Sequence, residues 1–165
     1  MSRRWLVVAA LVVLLLAGAA WLRWLAQAPQ GTDTQQILAQ IQRGQQAAEE
    51  RNAGALMRVV SPDCRDENGL TRPVLASEAR EQLRDAQQVE VTIPLNDLHI
   101  QVAPNGREAT STGRIELRIT DRQAGARAMT LNPTLQWRKE RVRRYLLFPA
   151  EEWRVIRVEG LGSGE

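Results

Sequence analysis

The chain has 165 residues, with 22 basic and 19 acidic side chains for a net charge of +3. Arg3, Arg4 and Arg23 account for that excess, so the remainder is neutral and offers no overall basic field to a nucleic acid. The single cysteine, Cys64, excludes an internal disulfide, and one histidine with no carboxylates at ligand spacing argues against a metal centre.

Taken in chain order, Trp5 to Ala26 is an apolar run broken only by Arg23. A hydrocarbon core of ~30 Å needs about 20 helical residues, so the run predicts a single membrane-spanning helix or uncleaved signal anchor over 5–26. Arg3 and Arg4 outweigh Arg23, which places residues 1–4 in the cytoplasm and residues 30–165 beyond the inner membrane. Trp5, Trp21 and Trp24 bracket the run as interfacial anchors, with Arg23 snorkelling to the headgroups. The alternative is a cleaved signal: Ala26-Gln27-Ala28 has the small-x-small form, and cleavage near Ala28 would leave a secreted or periplasmic protein.

A polar linker over 27–33 leads to a domain over 34–160, with a flexible tail at 161–165. Thr32 or Thr34 caps a first helix carrying Ile37, Leu38, Ile41, Ala47 and Ala48 at helical spacing. Ala55 to Val60 predicts a short second helix stopped at Ser61-Pro62-Asp63, and Asp63 to Gly69 reads as a polar loop. Thr71 caps a third helix to about Asp85, with Val74, Leu75, Ala79 and Leu83 inward.

From Gln88 the period becomes two. Val89, Val91 and Ile93 alternate, Pro94 to Asp97 breaks the phase, and Leu98, Ile100 and Val102 resume it one register over, which predicts one long bent strand. Pro104-Asn105-Gly106 is a hairpin turn. A strand through Ile115, Leu117 and Ile119 follows, then the turn Gln123-Ala124-Gly125 and a strand through Met129, Leu131, Leu135 and Trp137. Trp153, Val155 and Ile156 form the last strand. The fold class expected is α+β: the transmembrane helix, then a cone of three helices on a curved antiparallel sheet of about four strands.

This order resembles the nuclear transport factor 2-like (cystatin-like) superfamily over about Thr34 to Val158. The resemblance is carried by Leu56-Met57-Arg58-Val59-Val60-Ser61-Pro62-Asp63, by the acidic turn Asp66-Glu67-Asn68-Gly69, and by the closing strand Trp153-Arg154-Val155-Ile156-Arg157-Val158. It implies a helical cone wrapped by a bent sheet, a fold that hosts enzymes, ligand binders and assembly domains alike. Bacterial bitopic assembly proteins that pair one membrane helix with such a domain fit the same outline. Enzymes on this fold place a carboxylate, often with a histidine, inside the cone. Asp66 and His99 are the residues here that could serve, although Asp66 suits a turn and alternation points His99 away from Leu98 and Ile100.

No Gly-rich phosphate loop or nucleophile elbow occurs, and no cofactor or metal is expected. Arg138, Lys139, Arg141, Arg143 and Arg144 form a basic run around Glu140, read either as a contact patch for anionic headgroups or an acidic partner, or as a solvated hairpin. Tyr145-Leu146-Leu147-Phe148-Pro149 is apolar on both faces, as a buried strand or a dimer contact requires. The functional expectation is a non-enzymatic binding or assembly domain that contacts a partner protein, a second copy through its sheet face, or a small apolar ligand, with no role for nucleic acid. An isomerase- or dehydratase-like enzyme using Asp66 or His99 as base is the alternative.

Overall fold

The computed structural model describes residues 31–121, 125–144 and 148–160, the side chains of 143, 144, 148 and 149 excepted. Helix α1 (Asp33–Glu49) begins on a capping box. The Gln35 amide donates to Thr32 Oγ1 at 3.3 Å while the Thr32 amide donates to Gln35 Oε1 at 3.0 Å, which satisfies two otherwise orphaned donors. Helix α2 (Ala53–Val59) is capped by Asn52, whose Oδ1 accepts from the Ala55 amide at 2.9 Å. Helix α3 (Arg72–Asp85) starts at Thr71 with Pro73 in its first turn, where a missing N–H costs nothing. Its fully buried residue is Ala76, with Leu75 half-buried; Val74, expected inward, is 42% exposed.

Eight strands follow the chain: β1 (Val60–Asp66), β2 (Ala86–Thr92), β3 (His99–Val102), β4 (Glu108–Thr112), β5 (Ile115–Asp121), β6 (Gly125–Leu131), β7 (Thr134–Arg144) and β8 (Phe148–Glu159). They form a five-stranded sheet in the order β1-β8-β7-β4-β3 and a three-stranded sheet in the order β2-β5-β6. All pairs are antiparallel except β1 with β8. The expected count of four strands is therefore corrected to eight. Three of the four expected strands are long and break at one level, at Ile93–Leu98, Gly113–Arg114 and Asn132–Pro133, and each contributes one half to each sheet. The bends press together. A Cβ on Gly113 would lie 3.1 Å from Leu98 Cδ1, and Gly160, at φ +75°, would bring one within 3.0 Å of the Asn132 carbonyl.

The remaining strand, β1, was unexpected. Its buried positions include Ser61 and Asp66, polar residues that hide the alternation.

The membrane-spanning helix in the expected fold class is also corrected. Among the described residues, no helix is long and apolar enough to cross a membrane. Helices α1 and α3 are amphipathic, with glutamines, glutamates and arginines among their exposed residues. The apolar run 5–26 and its expected interfacial residues Arg3, Arg4, Trp5, Trp21, Arg23 and Trp24 lie outside the described residues. The single-pass, extracytoplasmic placement therefore finds no support among the described residues. The fold class is α+β, with three helices and eight strands in two sheets.

The core lies between α1 and the five-stranded sheet. Ile37, Val59, Cys64, Ala109, Trp137, Trp153 and Val155 form one buried cluster, with Ile41, Leu75, Ile100, Val102 and Leu135 packed against it.

Candidate functional site

The inside of the cone is where an acid or base would have to sit, and two indoles fill it. Trp137 and Trp153, each 1% exposed, are among the largest fully buried side chains. Alternation brings them to the helix-facing side of neighbouring strands, where Trp137 pairs with Val155 and Trp153 with Lys139. Each indole N–H has a partner: Trp137 Nε1 donates to Ser111 Oγ at 2.8 Å, and Trp153 Nε1 to Asp33 Oδ1 at 3.3 Å. Lys139 Nζ donates to the same Asp33 oxygen at 2.6 Å and stands 5.1 Å from the Trp153 ring centroid. A small pocket under the bend, bounded by Ile41, Ile93, Leu98, Ser111, Ile115 and Leu135, has about 20 Å³. That volume holds roughly one water.

Asp66 is buried, but its carboxylate is spent on its own loop. Oδ1 accepts from the amides of Asn68 at 2.9 Å and Leu70 at 2.6 Å, and Oδ2 accepts from Asn68 Nδ2 at 3.4 Å. The Gly69 amide donates to the Asp66 carbonyl at 3.1 Å, and Gly69 sits at φ +80°, so the acidic turn is a folding device. His99 is exposed on β3 and pairs across to Thr112, away from Ile100 and Val102, which pack on the core. The structure does not bring Asp66 and His99 together in a cavity. Cys64, next to Asp66, is buried, and burial with the Asp66 charge pushes its thiol up to about 11 against the opposing pull of Arg72.

The basic run is not a hairpin. It lies inside β7, where alternation divides it between two faces. Lys139 turns inward to Asp33. Arg138 donates to Glu140 Oε1 at 2.7 Å and to Asp63 Oδ2 at 2.9 Å, and these carboxylates raise its pKa further and hold it charged. Glu140 in turn accepts from Ser61 Oγ at 2.8 Å. Arg141 is exposed opposite Glu151; the side chains of Arg143 and Arg144 and the residues Tyr145, Leu146 and Leu147 fall outside the described set.

What sequence reasoning missed is the second sheet. Strand β6 is exposed from Gly125 to Thr130 and forms a free edge of the β2-β5-β6 sheet among the described residues. Cross-strand register places Val91, Leu117 and Met129 on one face, with Ile119 and Arg127 beside them. Between that face and α3 runs an open cleft of about 410 Å³, floored by Ile119 and Met129 and rimmed by Glu78, Glu81, Asp85, Asp121 and Arg127. Met129 is 39% exposed. The alternation in Leu117, Ile119, Met129 and Leu131 was legible, but its lack of a covering helix was not.

Neither a family profile nor a curated protein matches the chain. Solved structures do match. A nuclear transport factor 2-like superfamily protein from Salmonella enterica serovar Typhimurium aligns at TM-score 0.59 and 16% identity, over 79% of this chain and 96% of that one. A cystatin-like fold protein from Caulobacter vibrioides aligns at 0.58 and 14%, over 80% and 89%. A provisionally named dehydratase of the nuclear transport factor 2-like family from Streptomyces avermitilis aligns at 0.60 and 12%, over 77% and 93%. Likeness at this identity speaks for architecture and not for activity: the chain has the nuclear transport factor 2-like, cystatin-like α+β fold.

Proposed function

We propose that this chain is a non-enzymatic binding domain that holds a partner protein on the β2-β5-β6 sheet, along its free β6 edge and the cleft beside α3. The observation that carries this reading is the filled cone. Trp137 and Trp153 occupy the space a substrate would need, and the pocket under the bend has only about 20 Å³. A small apolar ligand inside the cone is disfavoured by the same packing. An exposed edge strand, by contrast, offers unpaired backbone groups to a second chain, and half-exposed Met129 supplies an apolar anchor beside it.

The test is rescue of a deletion phenotype by folded variants. Asp66→Asn keeps the oxygen that accepts the turn amides, and His99→Gln changes an exposed side chain; both variants rescue fully if binding is the role. Met129→Glu, which places a charge on the cleft floor at little cost to the core, does not rescue. Failure of either Asp66→Asn or His99→Gln to rescue while remaining folded would return the enzyme reading to the front. Light scattering of the purified chain identifies whether the partner is a second copy.

A further inference from the structure

A second groove lies along α1 and α2 and shares no lining residue with the cleft above. Gln40, Arg43, Gln46, Ala47 and Glu50 line it from α1, Ala55, Arg58 and Val59 from α2, and Glu152 from β8, around about 360 Å³. The spacing of Gln40, Arg43 and Ala47 puts them on one stripe of the helix. The groove exists because Ala47, Ala55 and Val59 make a short, apolar floor where longer side chains would fill it.

Three of its polar side chains have no protein partner among the described residues. Gln40 is 7% exposed, yet among the described residues its amide has no hydrogen-bond partner. The solvent-excluded unpaired side-chain atoms among the described residues are Arg72 Nε and Arg154 Nε, so the part of Gln40 that solvent reaches is its amide, a donor and an acceptor open at the groove. Arg43 and Arg58, both exposed, form no ion pair or hydrogen bond among the described residues. The carboxylates of the groove are already engaged: Glu50 accepts from Gln46 Nε2 at 2.7 Å, and Glu152 faces Arg154 at 3.9 Å.

We infer that this groove binds a small organic oxyanion, its charged head between Arg43 and Arg58, a polar atom on the Gln40 amide and its apolar stem on Ala47, Ala55 and Val59. Guanidinium groups present planar pairs of donors that match carboxylate and phosphate oxygens. Glu50 and Glu152 on the rim restrict the ligand to a single anionic group, because further negative charge would meet them.

The experiment titrates the full chain with benzoate, phenyl phosphate and neutral benzamide, following the side-chain amide resonance of Gln40 and the guanidinium resonances by nuclear magnetic resonance. Saturable shifts with benzoate or phenyl phosphate are expected, at affinities at least about tenfold tighter than for benzamide. Comparison of the two acids tells a carboxylate head from a phosphate one. Arg43→Gln and Arg58→Gln each weaken binding about tenfold, and Gln40→Met weakens it less. Should Gln40→Met fail to fold, the two arginine variants, whose side chains are exposed, still decide the matter. No saturation by either acid up to about 10 mM, equal binding of benzamide, or binding undiminished in Arg43→Gln and Arg58→Gln would each overturn the inference.

Discussion

The Cys64 thiol shows how burial sets chemistry at a single residue. It is 1% exposed, and its pKa is pushed up to about 11 chiefly by loss of solvation. A thiol whose folded value lies above its unfolded one contributes stability at neutral pH, and this contribution is lost as pH rises from about 9 toward 11, because the unfolded chain ionises first. Denaturation midpoints are expected to fall across that window in the native chain and to fall less in Cys64→Ala. At pH 8 the folded thiol should react with a disulfide reagent at least about a hundredfold more slowly than the unfolded one, since the thiolate is the nucleophile. Rapid labelling of the native protein would show that Cys64 is accessible and ionised. Trp137 offers a second check. Trp137→Phe leaves the buried Ser111 hydroxyl without its 2.8 Å partner and should cost about 1–3 kcal/mol in urea denaturation, of which Ser111→Ala in the same chain restores a part. Trp137→Ala, which also opens a cavity, should cost about 3–5 kcal/mol. The sequence marks both residues as unusual, one the sole cysteine and the other a tryptophan in an alternating strand. Their burial, and hence their meaning, depends on residues far along the chain.

At the scale of elements, the parts legible in the sequence are those whose pattern is local. The capping box of α1, the phase break at Pro94 and the hairpin at Asn105-Gly106 each depend on residues within a few positions of one another. Asn105 Oδ1 accepts from the amides of Arg107 and Glu108 at 2.9 and 3.3 Å, closing that hairpin. Strand β1 was not legible because its buried Ser61 is satisfied by Glu140, 79 positions away. The partners of the basic run in β7 were hidden for a related reason. Summed along the chain it is a positive patch, but a strand sends neighbours to opposite faces, so Lys139 meets Asp33 on α1 while Arg138 meets Glu140 and Asp63. The Asp33–Lys139 contact fastens the start of α1 to the sheet, with side chains 30% and 18% exposed. Partial solvent access discounts the pair below a fully buried one, and a double-mutant cycle with Asp33→Asn and Lys139→Met should return a coupling of about 1 kcal/mol. A coupling near zero would mean that Trp153 alone holds the helix there.

For the whole molecule, stability is divided unevenly between the two sheets. Strands β7 and β8 run 11 and 12 residues, pair along their length, and carry both buried indoles. The β2-β5-β6 sheet has seven-residue strands, its helix packing falls on β2, and β6 is exposed from Gly125 to Thr130. The free energy of local opening grows with the apolar surface that opening exposes to water, so the second sheet should open first. Amide exchange in β5 and β6 is expected to be at least about a hundredfold faster than in the middle of β7 and β8, equivalent to roughly 3 kcal/mol less opening free energy. Uniform protection across both sheets would instead mean that the bends at Gly113 and Pro133 couple them into one cooperative unit. The same measurement bears on function. A surface that takes a partner by its strand edge must have backbone groups that are not already committed, and the thinly covered sheet supplies them at the end of the molecule where little folding energy depends on their staying apart. Binding on β6 would therefore slow exchange there while leaving β7 and β8 unchanged, whereas a ligand acting on the indole-filled interior would slow exchange in β7 and β8.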